Sequence, residues 1–176
     1  MHQTQPWHLD LGAHLVGPSS VRFRVWAPYA RTVSVRIEGM DPASPLREPI
    51  PMLKREFGYY EATISGLTHG TRYRYLLDGK QERPDPASRA QPDGVHGPSA
   101  LIDPDRFLWS DQNWTDLPLR DLIIYELHVG TFTAEGTFQG IIPFLDYLRN
   151  DLGITAIELM PVAQFPGARN WGYDGV

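Results

Sequence analysis

The sequence predicts two domains of different class: an N-terminal all-β sandwich of immunoglobulin-like type, then the first β-α-β unit of a parallel barrel. Three observations predict it. Up to Asp78-Gly79, apolar and polar side chains alternate with a period of two between regularly spaced turn signals, as in antiparallel sandwiches. Residues 83–104 then hold five prolines and leave little room for regular structure. From Asp121 onward an apolar run, a helical apolar period and a second apolar run follow one another, the pattern of two parallel strands joined by a crossover helix.

Composition bounds the function. The 176 residues are 41% hydrophobic, enough for one core or two small ones. With 16 Lys plus Arg against 21 Asp plus Glu, and a net charge of -5, the chain lacks the basic face that nucleic acid requires. No apolar run reaches membrane-spanning length, and the start MHQTQPWHLDLGAHL has no basic-then-apolar leader pattern. Cysteine is absent, which fits a reducing compartment. The expectation is a cytoplasmic protein with neither membrane nor nucleic-acid partner.

After a turn-rich opening, Val21, Phe23 and Val25 alternate with Arg22, Arg24 and Trp26 to give a half-buried strand ended by Ala27-Pro28. Val33, Val35 and Ile37 repeat the pattern before Gly39 and Asp41-Pro42, and residues 43–51, with three prolines, read as a loop. Gly58–Ile64 is β-branched and aromatic. Tyr73, Tyr75 and Leu77 line one face of a further strand that closes at Asp78-Gly79, a favoured hairpin dipeptide. Residues 83–104 read as an ordered, non-regular connection over the domain surface, because Val95, Leu101 and Ile102 are too apolar for a solvated tether. The expected domains are residues 1–108 and 109–176.

The second domain opens with residues 121–129, apolar enough for a strand buried on both faces. Thr137 is placed to cap a helix from Phe138 to about Asp151, whose apolar face is Ile141, Ile142, Leu145 and Leu148, and Pro143 falls early enough in it to be tolerated. Residues 154–162 form the second strand. Such a unit, repeated eight times, closes a (β/α)8 TIM barrel of about 250 residues. The chain is therefore expected to be the front end of a longer protein, cut as its second domain begins.

Few residues suggest chemistry. There is no nucleophile elbow, phosphate loop or dinucleotide fingerprint, and the six His residues show no metal-ligand spacing, so neither metal nor cofactor is expected. Glu126 and Glu158 fall at matching places in the two strands. They lie inside the strands, whereas barrel chemistry sits at strand C-termini, so they read as buried structural carboxylates. His128, nearer a strand end, reads as a hydrogen-bonded histidine without a catalytic role. The loop Gln164–Gly175 leaves a strand C-terminus with Trp171, Tyr173 and Asp174, residue types that stack on sugar rings and grip hydroxyls.

The segments IIYELHVGTFTAEGTF and LGITAIELMPVAQFPGARNWGYDGV resemble the first two barrel strands of the α-amylase superfamily, glycoside hydrolase family 13. VRFRVWAPYARTVSVRI and GLTHGTRYRYLLDG resemble the β-sandwich that precedes that barrel. With HGPSALIDPDRFLWSD added, the pattern is most similar to the family's trehalose-releasing members. The resemblance implies a retaining hydrolase of α-glucan, with maltooligosyltrehalose as substrate, an Asp nucleophile, a Glu acid/base and a further sugar-binding Asp, all on later strands. It transfers one role directly: Tyr173 matches the aromatic that stacks on the sugar beside the scissile bond, with Trp171 and Asp174 as neighbours. No catalytic residue is expected in this chain, and no cofactor is implied. A branching or debranching enzyme is the nearest alternative. A binding module is another, with the sandwich holding glucan on Trp7, Trp26, Tyr29, Tyr59 or Tyr60.

Overall fold

The computed structural model describes residues 10–40, 43–44 and 46–175, so Trp7 and the Asp41-Pro42 turn signal lie outside the described residues. Chain contacts divide the protein into two units, with the division between Phe107 and Leu108.

The first unit contains β1 (Gly12–Gly17), β2 (Ser20–Trp26), β3 (Val33–Ile37), β4 (Ile50–Pro51), β5 (Leu53–Lys54), β6 (Tyr59–Ser65), β7 (Arg72–Leu77), β8 (Gln81–Arg83) and β9 (Ser99–Ala100). One antiparallel sheet runs β1-β2-β6-β5; the other runs β4-β3-β7-β8, with β9 also on β7. The alternating residues turn inward as the period of two requires: Val21, Phe23 and Val25 from one sheet meet Val33, Val35, Ile37, Tyr73 and Tyr75 from the other. Phe23 and Tyr73 pack edge to face across the sheets, their centroids 5.0 Å apart, a contact worth about 0.5–1.5 kcal/mol beyond area burial. At the β7–β8 hairpin, Asp78 and Gly79 have φ of 51° and 66°, the left-handed backbone of a primed turn. Asp78 Oδ1 accepts the backbone N–H groups of Thr32 and Arg31 at 2.9 and 2.8 Å, which hold its carboxyl below the usual range.

Three expectations need correction here. Within the opening, the described residues Gly12–Gly17 are strand rather than turn: Ala13 and Leu15 of β1 pair with Phe23 and Val21 of β2, and the Gly and His residues there hid the period. The 43–51 loop contributes Ile50–Pro51 as a short edge strand on β3, where proline's missing N–H is tolerated. Residues 83–104 form the expected ordered connection and are largely exposed or half-buried, but they are not purely superficial or irregular: Asp85, Val95, Ser99, Ala100 and Leu101 are buried and β9 extends the second sheet.

The cause of that burial is polar. Tyr73 and Tyr75 carry hydroxyls into the core, and buried donors need acceptors. Both donate to Asp85 Oδ2, at 2.6 and 3.2 Å. Asp85 Oδ1 accepts the N–H of Ala87 at 2.8 Å, and the Asp85 N–H donates to Ser99 Oγ at 2.9 Å. Tyr60 is likewise core, its hydroxyl donating to the Ala30 carbonyl at 2.7 Å, so it is no candidate for glucan contact.

In the second unit, β10 (Ile124–Leu127) and β11 (Ala156–Leu159) pair in parallel, Glu126 opposite Glu158. Between them come a one-turn helix α1 (Val129–Phe132), absent from the sequence expectation, and α2 (Phe138–Ile141), whose helical path tightens at Ile142–Phe144 around Pro143 and widens at Tyr147–Asp151. Thr137 caps α2, its Oγ1 accepting the Gly140 N–H at 3.1 Å. Both strands are shorter than expected, and of the expected helix face only Ile141 and Leu148 are buried. Ile124 and Tyr125 are exposed, and so are Glu126 and Glu158, contrary to the expected burial on both faces. Two strands and one crossover supply too little cover for a parallel pair.

Burial pushes the Asp85 carboxyl up, against the pull of its Tyr73, Ala87 and Tyr75 hydrogen bonds. A carboxyl raised on folding binds more protons in the folded state, so its contribution is greatest below the unfolded value of about 3.9 and is lost as pH rises through the folded value. Asp85→Asn removes that titration. Chemical denaturation at several pH values should show the variant gaining stability relative to wild type as pH rises above about 4.

Candidate functional site

In parallel α/β units, ligands bind outside the carboxyl ends of the strands. There, β10 runs into His128 and β11 into Met160-Pro161. A groove of about 740 Å³ opens at this end, lined among others by His128, Thr131, Glu135, Met160, Arg169 and Asn170. Its size falls in the range of small-molecule sites.

The loop beyond β11 is held to β10 by side chains. His128 Nε2 lies 2.6 Å from Asn170 Oδ1, and the same oxygen accepts the Gly172 N–H at 3.3 Å. Thr131 Oγ1 lies 3.3 Å from His128 Nδ1. The Trp171 N–H donates to Asp174 Oδ2 at 2.8 Å, closing a short loop around Gly172. Gly172 is buried, while Trp171 and Tyr173 on either side are exposed. Its φ is 91°, and a Cβ built there would stand 2.7 Å from Met160 Cε.

Of the residues the sequence singled out, Trp171 and Tyr173 are brought together as exposed rings flanking one anchored glycine. Trp171, Tyr173 and Asp174 are not among the groove's lining residues, and neither are Glu126 and Glu158. Of the other lining residues, Arg169 and Asn170 belong to the loop that the sequence pointed to, whereas Glu135 was not singled out, since no spacing or period marks it. In the sandwich, Trp26 and Tyr59 are direct neighbours on β2 and β6. The Trp26 Nε1–H donates to the Phe57 carbonyl at 3.0 Å, the Arg24 guanidinium sits 4.7 Å from the Tyr59 ring centroid, and Tyr29 is almost fully exposed.

Residues 10–102, which contain β1 to β9, match the family Carbohydrate-binding module 48 (Isoamylase N-terminal domain). The chain belongs to that family. It is 51% identical over 156 residues to malto-oligosyltrehalose trehalohydrolase of Saccharolobus solfataricus, covering 89% of this chain and 26% of the relative. It is 30% identical over 186 residues to a 1,4-alpha-glucan branching enzyme of Xanthomonas oryzae, covering 93% of this chain and 25% of the relative. Among solved structures, a candidate alpha amylase of Salmonella typhimurium superposes with a TM-score of 0.87 at 40% identity, over 97% of this chain and 28% of that one. The chain thus spans about a quarter of the length of the curated relatives it matches. Among the described residues no helix is long and apolar enough to cross a membrane.

Gly172→Ala should destabilise the loop, since a left-handed backbone costs a non-glycine residue about 1–3 kcal/mol. Measured by hydrogen exchange, the Trp171, Gly175 and neighbouring amides should exchange faster, with the sandwich amides unchanged.

Proposed function

We propose that this chain is the front part of a retaining α-glucan hydrolase that releases trehalose from maltooligosyltrehalose, cleaving the α-1,4 bond next to the trehalose unit. The observation that carries the reading is the 51% identity to a trehalohydrolase over 156 residues, a stretch longer than either unit alone. The branching enzyme, at 30%, supports the superfamily and ranks second as an activity.

In this reading residues 1–108 form an immunoglobulin-like sandwich and residues 109–176 open a (β/α)8 barrel. The exposed Ile124, Tyr125 and Leu159 are then surfaces for further β/α units to cover. The site occupies the strand ends. Tyr173 offers its ring to the sugar beside the scissile bond, Trp171 adds a second apolar surface, and Asp174 has Oδ1 left to accept from a sugar hydroxyl while Oδ2 shapes the loop. Retention needs two carboxyl groups about 5–5.5 Å apart across the glycosidic bond. In this reading they come from later strands, since Glu126 and Glu158 lie inside β10 and β11, before the strand ends where barrel chemistry sits. The sandwich, on this account, frames the catalytic domain.

The 176-residue chain alone should release no trehalose from maltooligosyltrehalose, whereas the full-length polypeptide should. Chromatography of the products checks both; transfer to new α-1,6 branches without free trehalose would select the branching alternative. In the full-length polypeptide, Tyr173→Ala should lower kcat/KM by about fivefold or more, the worth of one lost ring contact.

A further inference from the structure

Gly172 N–H can only donate, so the Asn170 side-chain atom that faces it is the carbonyl oxygen. An oxygen there cannot donate to His128, so the short 2.6 Å contact requires a proton on His128 Nε2. Nδ1 is turned toward the Thr131 hydroxyl at 3.3 Å, on the one-turn helix α1. The ring is therefore clamped on both sides, by an element that follows β10 and by the loop that follows β11. Gly172 is the buried pivot of that loop, against Met160 and the His128 ring, and the exposed rings of Trp171 and Tyr173 leave it in sequence on either side.

We propose that His128 is a positioning residue for sugar binding: through Asn170 Oδ1 it fixes the Gly172 pivot, and so the position of the exposed Tyr173 ring that follows it in sequence. This rests on the reading of Tyr173 as the sugar-stacking ring. His128 touches no reacting atom in this role, so it governs how well the ring is held for binding and leaves bond cleavage to the carboxylates. The occupant is the pyranose ring of an α-glucan, recognised by its apolar face.

The test uses the full-length polypeptide. With selectively ¹⁵N-labelled histidine, NMR should place a proton on His128 Nε2. His128→Ala should raise KM for maltooligosyltrehalose about 3- to 10-fold, with kcat within about twofold, as expected for one lost hydrogen bond felt in binding. Asn170→Ala should match it, and His128→Gln, whose amide can donate to the same oxygen, should restore most of the loss. A Tyr173→Ala variant separates the two claims. If Tyr173→Ala raises KM while His128→Ala does not, the positioning role is overturned and the stacking reading stands; if Tyr173→Ala leaves KM unchanged, the stacking reading falls and the inference with it. A proton found on Nδ1 alone overturns the inference whatever the kinetics show, so a variant that fails to fold leaves the claim testable.

Discussion

The buried carboxylate of Asp85 is the interaction on which the sandwich depends. Two core tyrosines of β7 could not be buried without an acceptor, and Asp85 serves both while tying its own backbone to Ser99. That bond network pulls the proline-rich segment inward. Arg89, four residues on, reaches the Ala13 carbonyl on β1 at 2.9 Å, and the Leu101 N–H joins the Thr71 carbonyl at 2.9 Å. The segment around one buried carboxyl group thus ties together the edge of the first sheet, the start of β7 and the exit of the chain from the sandwich. Its desolvation is the cost, visible in the upward displacement of its carboxyl and of both tyrosine hydroxyls.

The second unit is governed by the opposite condition. Its strands have good register and a capped helix, but their apolar residues have few partners. The loop after β11 is held by polar contacts, in which His128, Asn170, Gly172 and Asp174 each make a specific bond, and by the buried Gly172 against Met160.

Much of the fold was legible in the sequence, for identifiable reasons. Val21-Phe23-Val25 and Val33-Val35-Ile37 turn inward because a half-buried strand enforces a period of two, and Thr137 and Asp78-Gly79 act locally as their chemistry demands. What was illegible depended on tertiary partners. Nothing local shows that Asp85 is buried, since the cause is two tyrosines 10 and 12 residues earlier. Tyr60 and Tyr59 are adjacent aromatics of similar propensity, and only strand register sends one to the core and the other outward. Residue type, position after a strand and the resemblance marked Trp171 and Tyr173, and the structure leaves both rings exposed, whereas nothing marked the His128–Asn170 bond, which joins residues 42 apart in sequence.

The central claim is that the loop after β11 presents Tyr173 to a glucan ring at the carboxyl ends of the parallel strands. The most direct measurement is a crystal structure of the full-length polypeptide with a trehalose-terminated maltooligosaccharide bound. The account predicts a pyranose ring stacked on Tyr173 and a carboxylate pair astride the adjacent glycosidic bond. A bound oligosaccharide whose scissile bond lies elsewhere, with Tyr173 free of sugar, would contradict it.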